Sequence, residues 1–73
     1  MTQIPVLSSR VVIKTLIKAG YVVVRQKGSH IRLQHINKKP VTVPRHPLIG
    51  KGLLKKILRD SEISLFDFKK LLK

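Results

Sequence analysis

The 73-residue chain contains no cysteine, so it has neither disulfides nor thiolate metal sites. Its apolar runs are only a few residues long, too short for a membrane-spanning helix. The first ten residues lack a basic segment followed by a long apolar run, so we expect no signal peptide. We expect one domain over residues 1–73, with a modest core, in a reducing compartment such as the cytoplasm.

Acidic residues are absent from the first 59 positions. The whole chain has 16 Lys plus Arg against three acids, which gives a net charge of +13. All three acids, Asp60, Glu62 and Asp67, follow this acid-free stretch. A positive field of this size favours a polyanion, most commonly nucleic acid. An acidic protein partner, a membrane surface and simple solubility are the alternatives, and one basic surface can serve both RNA and an acidic protein.

Three segments have the features of helices. The first is predicted to start at Ser8 or Ser9 and to end at Gly20, where glycine provides a left-handed cap. The second begins at Gly52, and a capping-box spacing, Ser-x-x-Asp from Ser64, opens a short third helix. The predicted apolar stripe of the first helix is Val12, Ile13, Leu16 and Ile17.

Three β-rich segments, YVVVRQ, HIRLQHI and VTV, separate the first two helices. They are joined by turns at Lys27-Gly28-Ser29 and Asn37-Lys38-Lys39, which are short enough to favour antiparallel pairing. The predicted fold class is therefore α+β: an α-β-β-β-α order with a three-stranded antiparallel sheet, helices packed on one face, and a short C-terminal helix. This is the order of a double-stranded-RNA-binding domain, which recognises A-form RNA by shape, 2′-hydroxyls and phosphates.

Alternation along the second strand divides its side chains between the two faces of the sheet. Ile31 and Leu33 are predicted on the apolar face, beneath the helices. The opposite face is left uncovered, and we call it the open face. Its predicted side chains are His30, Arg32 and Gln34, with Arg25 as a further candidate.

The histidines do not form a metal site. His30 and His35 are five residues apart on one strand and therefore lie on opposite faces, and no acid or cysteine occurs within twenty residues of either. Since zinc or iron needs three or four ligands, we predict no metal and no cofactor. His35 is predicted to be structural, with one ring nitrogen bonded. A catalytic carboxylate pair and a Ser-His-acid triad are excluded near His30 for the same lack of acids.

Chemistry in which the substrate supplies the nucleophile needs fewer protein groups. RNA does so through its 2′-hydroxyl, and a histidine can remove that proton or protonate the leaving 5′-oxygen. Lys and Arg can stabilise the charge that develops on the phosphate. His30 beside cations on the open face meets this minimum. A surface histidine on a face that only grips phosphates would look the same, so at this point both catalysis and simple binding are open.

Four segments match a known family in order and spacing: LIKAGY, VRQKGSH, VTVPRH and KGLLKKIL. They cover about residues 9–60. The chain resembles the HicA toxins, which are small mRNA interferases of bacterial and archaeal type II toxin–antitoxin systems. The most specific piece is Lys27-Gly28-Ser29-His30, and the second is VTVP followed by His46.

The resemblance implies metal-independent RNA cleavage by the histidine of the Gly-Ser-His motif, here His30, with Gly28 forming the turn and Ser29 beside the imidazole. It also implies a HicB-type antitoxin that covers the active face and usually carries its own DNA-binding segment, so that DNA is contacted only indirectly. The chain departs from the family at Lys51-Gly52-Leu53-Leu54, since the family typically has Lys-Gly-Thr-Leu there. The loop after His46 is also more apolar than usual.

The sequence therefore predicts an endoribonuclease toxin that acts on mRNA, with His30 as general acid or base. The alternative is a non-catalytic RNA- or DNA-binding module of the same fold. Ser29 and His46 are candidate supporting residues, and His46 is a candidate second proton-transfer group. The predicted RNA-binding residues are Arg25, Lys27, Gly28, Arg32, Lys51 and Lys55.

Overall fold

The structure is a computed structural model that describes residues 6–72. It confirms the predicted α+β fold and its element order. Within residues 6–72, no helix has the length and apolar character needed to span a bilayer. The elements are α1 (Ser9–Lys18), β1 (Val22–Lys27), β2 (His30–Gln34), β3 (Val41–Pro44), α2 (Lys51–Ser61) and α3 (Leu65–Leu72).

The three strands form an antiparallel sheet in the order β1-β2-β3, with β2 in the middle. Along β2, burial alternates as the sequence predicts: Ile31 and Leu33 are buried, whereas His30, Arg32 and Gln34 are exposed. Alternating burial of this kind arises when only one face of a sheet is covered. The open face predicted from the sequence is therefore present, and it carries the predicted histidine.

The apolar face of the sheet and the three helices enclose the core. The predicted stripe of α1 is correct at Val12 and Leu16, which are fully buried, but Ile17 is 49% exposed. Successive residues are offset by roughly 100° around a helix, so Ile17 lies beyond the edge of the stripe that contains Leu16. The buried apolar residues are Val12, Leu16, Tyr21, Ile31, Leu33, Val41, Val43, Ile49, Leu54, Ile57, Leu58, Ile63 and Phe68.

Helix α1 ends in a glycine cap that leads directly into β1. Gly20 has a positive φ of 103°, and its N–H donates to the Ile17 carbonyl at 3.0 Å. The Tyr21 N–H donates to the Leu16 carbonyl at 3.0 Å, which completes a Schellman motif. A Cβ at Gly20 would lie 2.8 Å from Nε2 of His35, so this position requires glycine for space as well as for conformation.

His35 is a structural residue, as predicted, but both of its ring nitrogens are bonded rather than one. Nδ1 accepts from the Asn37 N–H at 3.0 Å, and Nε2 lies 3.2 Å from the Ala19 carbonyl oxygen. The ring also makes an edge contact with Tyr21, with centroids 5.0 Å apart. His35 therefore links the end of α1 to the turn after β2.

Replacing Gly20 with alanine is expected to lower the free energy of unfolding by about 1–3 kcal/mol, because alanine is strained at this φ and its methyl group would displace the His35 ring. Urea denaturation measures the change. The matched control is Gly52→Ala in α2, where the added methyl group would meet nothing within 4 Å outside its own turn of helix. That substitution is expected to be neutral or to stabilise by up to about 1 kcal/mol. Equal losses at the two sites would contradict this explanation.

Candidate nucleic-acid interface

His30 is held at the end of the middle strand by a two-residue hairpin turn. Lys27 and His30 are paired across β1 and β2, and Gly28 and Ser29 connect them. Gly28 has a φ of 59°, whereas Ser29 is not in the left-handed region. A positive φ at the first central residue only is the pattern of a type II′ turn, whose twist matches the flanking strands. The Lys-Gly-Ser-His stretch thus specifies where the imidazole lies.

The open face carries a cluster of cations beside His30. His30 is paired with Lys27 on β1, and the next pair on the open face is Arg25 with Arg32. Cross-strand neighbours on one face have Cβ atoms about 4.5–5.5 Å apart, so these side chains can contact one anionic ligand together. In the same row as Arg32, Nη1 of its guanidinium donates to Oγ1 of Thr42 on β3 at 3.1 Å. This hydrogen bond orients the guanidinium on the open face.

A β-bulge decides that Arg25 and Lys27 belong to the open face. The register shifts between Val23 and Arg25, so that Val24 is the extra residue of β1. Val23 pairs with Leu33 on the apolar face, and strict alternation would have put Arg25 on that same face. The bulge reverses the alternation and turns Arg25 and Lys27 outward beside His30. The sequence left Arg25 as a candidate because no local pattern reveals this bulge.

The charge of the open face is not neutralised by ion pairs within residues 6–72. Arg25, Lys27 and Arg32 are exposed, and none of them contacts a carboxylate within residues 6–72. A shallow groove of about 460 Å³ lies along this face and is lined by both arginines together with Val24 and Gln34. Exposed cations lining a concave surface attract polyanions and raise their local concentration.

Two of the predicted RNA-binding residues, Lys51 and Lys55, lie on helix α2 and not on the open face of the sheet. They are exposed on α2 and one turn apart. A groove of about 180 Å³ runs from Arg32 across β3 to α2, where it is lined by Lys56 and Asp60. Sequence analysis did not select Lys56. Helical periodicity places neighbouring lysines about 100° apart, so their positions relative to β3 emerge only once the helix is docked.

Arg45 is a second cation that sequence analysis missed. Its backbone N–H donates to the carbonyl of Ser29 at 2.6 Å, which ties the loop after β3 to the hairpin turn before His30. The exposed side chain lines a groove of about 360 Å³ that also includes Arg10 of α1. Positive charge therefore extends around the turn end of the sheet. The only local signal was the position of Arg45 within VTVPRH, between Pro44 and His46.

His30 and His46 are the two histidines with exposed side chains. Within residues 6–72, neither His30 nor His46 makes a side-chain hydrogen bond. The backbone of His46 is anchored, since its N–H donates to Pro44 and its carbonyl accepts from Ser9 at the start of α1. His30 is paired with Pro44 across β2 and β3, so His46 follows this partner by two residues. Within the same range, no three His, Asp or Glu side chains lie close enough to hold a metal ion.

Comparison with protein families identifies the chain. The model of the HicA toxins of bacterial toxin–antitoxin systems matches residues 9–63. The chain belongs to the HicA toxin family. Comparison with curated proteins found no match. The match confirms the resemblance, and membership of a toxin–antitoxin family implies an antitoxin as protein partner.

The HicA match includes the hairpin turn, His30 and the VTVPRH segment, and it ends before α3 begins at Leu65. It also includes the start of α2, where this chain has leucine in place of the typical HicA threonine. There the N-cap residue is Gly50, which provides no side-chain hydrogen bond to the helix. Leu53 is instead partly buried against the core. In this HicA-family chain, position 53 therefore contributes apolar packing, and no hydroxyl is available there.

Proposed function

We propose that this HicA-family toxin is a metal-independent endoribonuclease in which His30 transfers a proton at the scissile phosphate of mRNA. The observation that carries the proposal is an exposed imidazole, without hydrogen-bond partners in residues 6–72, fixed beside cations that no carboxylate neutralises. General acid–base catalysis requires a histidine that can reach its substrate, and phosphate binding requires uncompensated positive charge. Since the substrate is mRNA, the toxin acts in the cytoplasm.

The reaction uses a nucleophile that belongs to the RNA. The 2′-oxygen loses its proton to a base and attacks the adjacent phosphorus, while the bond from phosphorus to the 5′-oxygen breaks. The leaving 5′-oxygen takes up a proton from an acid. The products are a 2′,3′-cyclic phosphate and a free 5′-hydroxyl, so protons and atoms balance without a metal. His30 performs one of these two proton transfers, and His46 is the candidate for the other.

Cations around His30 hold the backbone and stabilise the charge on the reacting phosphate. Lys27 is paired directly with His30, and Arg25 with Arg32 in the next row. Arg45 is attached to the turn residue Ser29 and extends the contact surface around the end of the sheet. Gly28 forms the tight turn that brings the RNA backbone close, and Ser29 provides a supporting hydroxyl. Lys51 and Lys55 make peripheral phosphate contacts.

The mechanism predicts cleavage in the presence of a chelator. Purified protein incubated with single-stranded RNA in EDTA is expected to produce fragments ending in 2′,3′-cyclic phosphate, as identified by mass spectrometry. The matched control is a DNA oligonucleotide of the same sequence, which lacks the 2′-hydroxyl and should be bound but not cleaved. Fragments with 5′-phosphate ends, or activity that disappears in EDTA, would contradict the proposed chemistry.

A non-catalytic RNA- or DNA-binding module is the second candidate, because the cations of the open face explain phosphate binding without any chemistry. RNA that is bound by the purified protein yet remains intact, with no cleavage at any protein concentration tested, would favour this candidate. The antitoxin partner is compatible with both candidates. In the toxin it covers the open face and prevents access of RNA to His30, and any contact of the complex with DNA is made through the antitoxin.

A further inference from the structure

The first half of β1 presents three adjacent apolar side chains to solvent. Val22, Val23 and Val24 are 61%, 42% and 48% exposed, and we call these residues the valine edge. Val23 is paired with Leu33, which is fully buried on the same side of the sheet. The helices that cover β2 therefore leave the first half of β1 partly uncovered.

The valine edge also lies at the border of the sheet. In the order β1-β2-β3, one side of the β1 backbone has no neighbouring strand within residues 6–72. Sheet edges are usually protected from other chains by charged residues. The second half of β1 has such protection, from Arg25 and Lys27, but the valine edge has none. An apolar, unprotected segment beside a charged one is typical of a surface that another molecule covers.

The composition of the valine edge argues against RNA as its occupant. RNA-binding surfaces contact phosphates through cations and bases through aromatic or guanidinium stacking. Valine provides neither contact. The charged residues that RNA would use begin at Arg25, after the bulge, and of the three valines only Val24 lines their groove.

A second copy of this chain is also disfavoured. Each copy has a net charge of +13, and Arg25 and Lys27 adjoin the valine edge on the same strand. Pairing two valine edges would bring these like charges together, which costs free energy.

The remaining occupant is a protein with apolar side chains flanked by carboxylates. Its apolar side chains fit the valine edge, and its carboxylates complement the adjoining cations of the open face. We propose that the antitoxin anchors on the valine edge, so that its footprint on the toxin extends beyond the surface that RNA uses. The antitoxin itself follows from family membership, and the comparison with RNA rests on the proposed function.

Binding and cleavage assays on a double variant test the proposal. Val22→Thr combined with Val23→Thr keeps β-branched side chains of similar shape in the strand while making them polar, and neither residue lines the groove of the open face. The protein encoded by the reading frame adjacent to this one serves as the binding probe, with affinity measured by titration calorimetry. RNA cleavage and thermal unfolding are measured on the same preparations. The matched control is Phe66→Ala, which removes an exposed apolar side chain from α3.

The double variant is expected to bind the antitoxin about tenfold or more weakly, an effect typical of residues central to an interface. Its RNA cleavage rate and thermal midpoint should match those of the wild type, and Phe66→Ala should leave antitoxin affinity and the cleavage rate unchanged. The slope of antitoxin affinity against salt concentration should also stay the same, because no charge has been altered. Lower affinity with an unchanged slope would show that the valines contribute apolar contacts to the interface and that the electrostatic contacts are intact.

Each other outcome overturns the proposal. Unchanged antitoxin affinity means that the valine edge lies outside the interface. A wild-type chain that fails to bind the probe contradicts the partner on which the proposal depends. Cleavage and antitoxin binding that fall together mean that RNA uses the same surface. A wild-type dimer that becomes monomeric in the double variant, as shown by sedimentation, assigns the valine edge to self-association. Because binding is measured directly, a chain that proves unable to cleave RNA still gives a decisive binding result.

Discussion

Replacing His30 with alanine is expected to lower the rate of RNA cleavage by about 100- to 10,000-fold, the usual contribution of a positioned general acid or base. The fold should be unaffected, because the side chain is exposed and makes no hydrogen bond within residues 6–72. RNA affinity should change little, since Arg25, Lys27 and Arg32 provide most of the positive charge on the open face. Single-turnover cleavage of a labelled RNA, together with a binding titration, separates catalysis from affinity.

Two further histidine variants serve as controls. His46→Ala reports whether the second exposed imidazole takes part, and a loss comparable to that of His30→Ala would identify it as the other proton-transfer group. His35→Ala should destabilise the protein, since both ring nitrogens are bonded, without a specific effect on cleavage by the folded fraction. If His30→Ala cleaves RNA as fast as the wild type, the catalytic role is wrong and the open face only binds.

The second large effect concerns stability. Phe68→Ala is expected to lower the free energy of unfolding by about 3–5 kcal/mol, because the ring is fully buried and its removal leaves a cavity. Small proteins of this size are only marginally stable, so the variant should be largely unfolded near physiological temperature. Phe66→Ala on the same helix is the matched control. Its ring is 70% exposed, and the Lys70 ammonium lies 5.2 Å from the ring centroid, so the expected loss is about 1 kcal/mol or less.

The comparison of these two phenylalanine variants also tests whether α3 contributes to the stability of the fold. This helix begins after the last residue of the family match. The helix is capped by the Ser64 hydroxyl, which accepts from the Asp67 N–H at 3.0 Å. Lys18 of α1 donates to the carbonyl of Leu71 near the other end, at 3.1 Å. We therefore propose that α3 folds as one unit with the matched residues. Urea denaturation of the two variants checks this, and similar small losses would show that α3 is dispensable.

Local patterns in the sequence predicted much of the open face. Alternation along β2 placed His30 and Arg32 together because neighbouring residues of a strand point to opposite faces. The turn before His30 was predictable because only glycine adopts a positive φ there without strain. Both features depend on residues that are close in the chain, so the amino-acid types are sufficient to specify them.

Tertiary structure decided the remaining parts of the site. The bulge at Val24, which turns Arg25 outward, depends on the register between β1 and β2. The position of Arg45 beside the hairpin depends on its hydrogen bond to Ser29, sixteen residues earlier in the chain. Docking of α2 against β3 brings Lys56 to a groove shared with Arg32. The bulge depends on pairing between two strands, and the other two contacts join segments that are distant in sequence; local propensity and periodicity contain no information about such contacts. The sequence by itself determined the catalytic candidate and its strand, and only the folded chain determined which cations surround it.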